Sequence, residues 1–139
     1  MTAVETFEHI YIKPRNTAFT PYRICPIGAH SDHQLGKITG FAINQGIHIA
    51  FGSKENGVIE IQSLQFEKRA QWHVNPLYLQ KKMTGPTILR GATIALHKRD
   101  PLHRGLCAVI NGELPIGGLP SSASVIITFV SALCTISKE

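Results

Sequence analysis

The stretch Arg104–Cys134, RGLCAVINGELPIGGLPSSASVIITFVSALC, decides the fold. It opens with an unbroken apolar run, the pattern of a strand buried on both faces. Glycines and prolines interrupt it at Pro115-Ile116-Gly117-Gly118-Leu119-Pro120. From Ser121 the sequence is again apolar nearly all round at helical length, so a buried helix is expected there. Strand, glycine-containing loop and helix thus follow one another within 31 residues. Such a loop has two readings. It is a tight turn with a serine N-cap, or it cradles a phosphate with the free N–H groups and positive dipole end of the helix. Ser121 and Ser122 add hydroxyls that suit either. The loop lacks the Gly-Lys-Ser/Thr of a Walker A sequence and contains no G-x-S-x-G.

Working outward, Thr87–Lys98 has helical spacing, with Ile88, Ala92, Ala95 and Leu96 near one face, and Asp100-Pro101 ends it. Upstream, strands are expected at YRICPI, KITGFAIN, GIHIAFGS, VIEIQSLQF and AQWHV. Pro26 marks the first as an edge strand or a bulged one. In GIHIAFGS, Ile47, Ile49 and Phe51 share one face and His48 and Ala50 the other. Asn56-Gly57 is a hairpin signal. The apolar phase changes between Ile61 and Leu64, which reads as a bulge. Strands, helix, strand, loop and helix make an α+β domain.

Composition bounds the rest. The 139 residues suffice for one domain, and 43% hydrophobic with 17% charged residues is globular composition. The formal charge of +5 is scattered, with the densest pairs at Lys68-Arg69, Lys81-Lys82 and Lys98-Arg99. There is no basic stripe with interleaved aromatics, so nucleic acid is not the expected partner, whereas a small anion is compatible. Cys25, Cys107 and Cys134 show no CxxC spacing and lie in apolar runs, as for buried free thiols in a reducing, cytoplasmic compartment. The N-terminal residues do not read as a signal peptide. The apolar stretch from Ala123 to Ile136 is short for a membrane span.

The second chemical stretch is Arg23–Gly36, RICPIGAHSDHQLG, which places His30, Asp32 and His33 in four positions after a strand. No third and fourth metal ligand can be named, so a cluster for a hydroxyl-rich ligand is the favoured reading.

Together the two stretches resemble the sugar-kinase branch of the GHMP kinase superfamily, named for galactokinase, homoserine kinase, mevalonate kinase and phosphomevalonate kinase. Galactokinases carry G-R-V-N-L-I-G-E-H-T-D-Y-N-G-G, matched here at Arg23, Ile27, Gly28, His30, Asp32 and Gly36. Their P-x-G-x-G-L-S-S-S-A resembles PIGGLPSSA at Pro115–Ala123. The order and approximate spacing also agree. The resemblance implies the N-terminal GHMP kinase domain (ribosomal protein S5 domain 2-like), a mixed sheet with helices packed on one face. It implies ATP and Mg2+ as cofactors and phosphorylation of a hexose or uronic acid at the anomeric C1 hydroxyl. Arg23 would lie beside that hydroxyl and the transferring phosphate. His30 and Asp32 would bind sugar hydroxyls. Gly117, Gly118, Leu119, Ser121 and Ser122 would hold the ATP phosphates, with Ser122 a magnesium ligand.

Two departures matter. The loop is one glycine shorter than in galactokinases, and Pro120 replaces a serine. Ala29 stands where galactokinases have a glutamate that accepts a hydrogen bond from the C6 hydroxyl. A substrate carboxylate at C6 would meet that glutamate with a repulsion of roughly 4 kcal/mol at about 4 Å and an effective dielectric near 20. GAHSDHQLG resembles galacturonokinases, which implies that Ala29 admits a uronic acid and that His33 favours the anion. The family's catalytic aspartate and third glycine-rich motif lie further downstream than Glu139. The chain is therefore expected to be an incomplete N-terminal domain, without the C-terminal GHMP domain, and inactive alone. A catalytically silent sugar- or nucleotide-binding sensor of kinase ancestry is the alternative.

Overall fold

The computed structural model describes residues 1–12, 16–28, 31–65, 68–75, 87–113 and 121–138, without the side chains of Asp32, Lys68, Ser121 and Ser122. The elements run α1 (Ala3–Ile10), β1 (Asn16–Ile27), β2 (Thr39–Lys54), β3 (Val58–Ser63), β4 (Lys68–His73), α2 (Thr87–Arg99), β5 (Gly105–Gly112) and α3 (Ser121–Ile136). The strands form one sheet in the order β1-β2-β5-β3-β4, antiparallel except for the parallel pair β3–β5. This is the expected α+β architecture with a mixed sheet.

The alternation read in β2 determines its two faces. Ile47, Ile49 and Phe51 enter the main core with Ile59, Ile61, Leu106, Phe129 and Leu133. Ala50 lies on the opposite face with Cys107 and Val109, under Ala3 and Phe7 of α1. Burying a side chain the size of these aliphatic and aromatic residues contributes about 1.5–3 kcal/mol. Helices α2 and α3 lie on the main core face, as expected, and α1 adds a layer on the other. Its N-terminus is a capping box: Thr2 Oγ1 accepts from Glu5 N–H at 3.2 Å and Glu5 Oε2 accepts from Thr2 N–H at 2.7 Å.

Several expectations change. KITGFAIN and GIHIAFGS form one strand of 16 residues. Asn56-Gly57 does make a turn, with Gly57 at φ 69° and Asn56 Oδ1 accepting from Val58 N–H. Its flanking strands are not a hairpin, because β5 inserts between β2 and β3. Gly105 permits that insertion: a Cβ there would lie 2.0 Å from Val58 O. The pairing of β3 runs without a register shift, so there is no bulge between Ile61 and Ser63. Leu64 breaks the phase because it packs under α1 instead of in the main core. Helix α2 is rotated from the expected face. Ala92 and Leu96 pack against the main core as expected, but Leu89 and Thr93 are buried beside them, while Ile88 and Ala95 are exposed. The cause is polar: Thr93 Oγ1 accepts from the Trp72 indole at 3.1 Å and donates to Leu89 O at 2.9 Å. Helix α3 buries Phe129, Ala132, Leu133 and Ile136 but exposes the stripe Ala123, Ile127, Ser131 and Thr135.

Beneath α1 a polar network sits beside the apolar contacts. Glu60 accepts from Lys54 Nζ at 2.8 Å and from Tyr11 OH at 2.9 Å. The Lys54 hydrogen bond holds the Glu60 carboxyl below its ordinary value of 4.5, against the opposing effect of burial. Burial first, and the bond to Glu60 second, push the Tyr11 phenol up. A depressed carboxyl stabilises the fold above its unfolded pKa and loses that contribution as pH falls through the folded value. Glu60→Gln is therefore expected to flatten the acid limb of a stability-against-pH curve below about pH 4.5. Urea unfolding of both proteins across that range checks it.

Candidate functional site

Strand β1 is the edge strand that Pro26 suggested. Its pairing with β2 shifts register between Pro21 and Arg23 and again between Ile24 and Ile27. Tyr22 is 2% exposed and joins the main core, so the next residue, Arg23, projects away from it and is exposed. The Arg23 Cδ and Cys25 Sγ lie 3.4 and 3.3 Å from where a Cβ on Gly40 would sit. Gly40 thus leaves room for the arginine stem across the ribbon.

Beyond Ile27 the chain makes a tight loop held at both ends by glycine. Gly28 has φ +82°, and a Cβ there would lie 2.5 Å from Lys37 O. Gly28 O accepts from both Ser31 N–H and Ser31 Oγ at 3.1 Å. Ser31 O in turn accepts from Gln34 N–H at 3.1 Å and Gly36 N–H at 2.8 Å. A Cβ on Gly36 would lie 2.8 Å from Ser31 Cβ. Asp32–Gln34 is a single 3-10 turn inside this ring, and Leu35 is left-handed at φ 58°. The glycines singled out in the sequence are therefore steric requirements of the loop. Ser31, which was not singled out, is its pin. Gly28→Ala is expected to cost about 2 kcal/mol, from strain at positive φ and the contact with Lys37 O. A chemical denaturation midpoint for the variant checks it.

His33 is exposed on this turn, and the backbone of Asp32 begins it. Ala29 and His30 lie outside the described residues, as do Gly117, Gly118 and Leu119. The convergence of Arg23, His30 and Asp32 on one pocket thus falls outside the described side chains.

At the other expected site, β5 is buried along Gly105–Ile110 and α3 begins at Ser121, as the sequence indicates. Ser121 and Ser122 are its first two residues, and no acidic residue occupies its first turn. Nothing on the helix itself therefore neutralises the positive end of its dipole. Ser124, 5% exposed, donates from Oγ to Pro21 O at 3.1 Å. This ties the first turn of α3 to the strand that carries Arg23. Before the loop, Glu113 Oε2 accepts from Gly46 N–H at 2.7 Å, and Glu113 N–H donates to Gly46 O at 3.2 Å. The other carboxylate oxygen lies 3.3 Å from His48 Nε2, and the His48 ring packs on Phe19 at 4.6 Å. A cavity of about 570 Å3 opens here, lined in part by Thr2, Phe19, His48 and Glu113. None of its described lining residues is one expected to bind sugar or phosphate. Asp100 directly follows α2, where its N–H donates to Leu96 O, and the Glu113 carboxylate is engaged by Gly46 of β2.

The chain is 33% identical over 132 residues to a galacturonokinase of Arabidopsis thaliana, covering 81% of this chain and 31% of that protein. It is 32% identical over 127 residues to a galactokinase of Clostridium perfringens, covering 88% of this chain and 33% of the relative. The chain thus spans about a third of the length of the curated relatives it matches. Lactococcus lactis galactokinase complexed with galactose superimposes with a TM-score of 0.73 at 23% identity, over 91% of this chain and 34% of that one. Methanococcus jannaschii mevalonate kinase gives 0.66 at 19% identity, over 88% and 41%. These two likenesses establish the fold. No family model matches the chain.

Proposed function

This chain belongs to the GHMP kinase superfamily, and we propose that it supplies the sugar-binding and phosphate-binding parts of an ATP-dependent sugar 1-kinase. The observation that carries the reading is the tie between Ser124 and Pro21. It sets the start of a helix that attracts anions against the strand bearing Arg23. A sugar C1 oxygen and a γ-phosphate must meet within bonding reach, and this is where two such parts would be brought together.

In this reading the backbone at Gly117, Gly118 and Leu119 and the first residues of α3, Ser121 and Ser122, bind the nucleotide phosphates. The absence of a first-turn carboxylate fits an anion there. The Ser122 hydroxyl would help hold Mg2+, which neutralises phosphate charge when bound. Among the described residues no group of three or more His, Cys, Asp or Glu side chains could hold a metal. Arg23 holds positive charge at the C1 oxygen. His30 and Asp32 orient the sugar through its hydroxyls, and Ala29 leaves room for a C6 carboxylate, with His33 favouring the anion. Galacturonate is the preferred sugar. Phosphoryl transfer asks mainly for such positioning and charge neutralisation.

Cys25, Cys107 and Cys134 are free, which supports a reducing cytoplasmic location, although only Cys107 is fully buried as expected and Cys25 and Cys134 are half-buried. No helix among the described residues is long and apolar enough to cross a membrane. Isothermal calorimetry with MgADP and with galacturonate tests the reading. It predicts separable binding of both. Failure of either to bind at millimolar concentration overturns it.

A further inference from the structure

Glu113 and Ser124 lie at opposite ends of the segment proposed to bind phosphate, yet both bond to one cross-strand pair. Pro21 of β1 is the partner of Gly46 in β2. Glu113 uses both its main-chain N–H and its carboxylate on Gly46, and Ser124 uses its hydroxyl on Pro21. The pair is itself a tight spot. A Cβ on Gly46 would lie 2.1 Å from Thr20 O and 2.7 Å from Pro21 Cα. It is also the last pair before the register shift that leads to Arg23.

We infer that Glu113 and Ser124 are positioning residues that fasten the exit of β5 and the entry of α3 to the Pro21–Gly46 pair, and so fix the proposed phosphate site relative to Arg23. The inference rests on the kinase reading for its functional consequence, but the fastening itself does not.

The chemistry favours a fastening role over a surface contact. Pro21 has no N–H, so its carbonyl is the one backbone group it offers, and Ser124 takes it. A carboxylate accepting a backbone N–H forms a charge-assisted bond, shorter and stronger than a neutral one; the 2.7 Å distance from Gly46 fits. The other Glu113 oxygen faces His48, whose ring is braced by Phe19. The carboxylate is therefore held from both sides. Neither Glu113 nor Ser124 is expected to touch a substrate.

The test compares Glu113→Ala, Ser124→Ala and Glu113→Gln in this chain, with the remote Glu60→Gln as control. Amide hydrogen exchange at Gly46 is expected to accelerate at least about tenfold in Glu113→Ala. In Glu113→Gln, which retains an acceptor oxygen, it should stay within about threefold of the native rate. The amides of Ile59 and Ile61 should be unchanged, which separates a local fastening from global loss of stability. MgADP affinity is expected to fall about tenfold in each alanine variant, and to be largely kept in Glu113→Gln and in the control. Unchanged exchange at Gly46, or native MgADP affinity in both alanine variants, overturns the inference. If the native chain binds no MgADP, the kinase reading falls. The fastening is then judged by the amide resonances of Arg23 and Ser122, which shift in Glu113→Ala if it is correct and stay in place if it is not.

Discussion

Gly46→Ala is expected to destabilise the chain by about 3 kcal/mol or more, for the addition of a single methyl group. The added Cβ would sit 2.1 Å from Thr20 O and 2.8 Å from Thr20 C. Those are backbone atoms of β1, and no side-chain rotation relieves the contact. The strand itself must move away from β2, and with it the Pro21 carbonyl that Ser124 uses and the Arg23 that follows. A domain of this size has roughly 5–15 kcal/mol of net stability, so the loss is a large fraction of the total. Urea unfolding at neutral pH checks the magnitude. A fall below about 0.5 kcal/mol, the ordinary range of a harmless surface change, would show that β1 and β2 are less tightly apposed than described.

Ala29→Glu is the second large effect, and it acts on substrate choice. The substitution restores the glutamate that galactokinases are expected to have at this point. Facing a C6 carboxylate at about 4 Å, it adds roughly 4 kcal/mol of repulsion at an effective dielectric near 20. Solvent and side-chain relaxation reduce this, so about 1.4 kcal/mol is retained, which is a factor of about ten. Galacturonate affinity is expected to fall at least about tenfold, and galactose to improve relative to it. In a complete kinase the change would appear mainly in KM, because C6 is remote from the reacting oxygen. Asp32→Asn serves as the control and should weaken both sugars by removing a shared hydroxyl acceptor. An unchanged galacturonate-to-galactose ratio in folded Ala29→Glu would remove Ala29 from the account of specificity. The sugar would then be unspecified.

The elements with strong local rules were legible in the sequence. The apolar run at Gly105–Ile110 and the glycine-to-serine transition at Ser121 set β5 and α3, because burial on both faces and a helix start each leave a local trace. The glycines around the 3-10 turn were legible for a similar reason. Gly28 and Gly36 occupy places where a side chain has no room. What depended on distant partners was not legible. Asn56-Gly57 specifies a turn but not which strand will lie beside it, and the space at Gly105 that admits β5 is a property of two separated segments. Ala92 and Leu96 of α2 were placed rightly and Ile88 and Ala95 wrongly, because apolar spacing gives no weight to Thr93, which is buried as the partner of Trp72. α1 could have been found: Thr2 and Glu5 have the spacing of a capping box. Ser31, Glu113 and Ser124 left no trace in the sequence, since a hydroxyl or carboxylate gains its role only from the backbone group it reaches.

The most direct measurement is a 1H–15N correlation spectrum of the isotopically labelled chain, titrated first with MgADP and then with galacturonate. The kinase account predicts that MgADP shifts amides between Gly117 and Ser122, and that galacturonate shifts amides of Arg23 and of the 28–36 loop. It also predicts that β3 and β4, on the far side of the sheet, stay in place. Shifts confined to β3, β4 or α2, or none at saturating concentrations of either ligand, would contradict it.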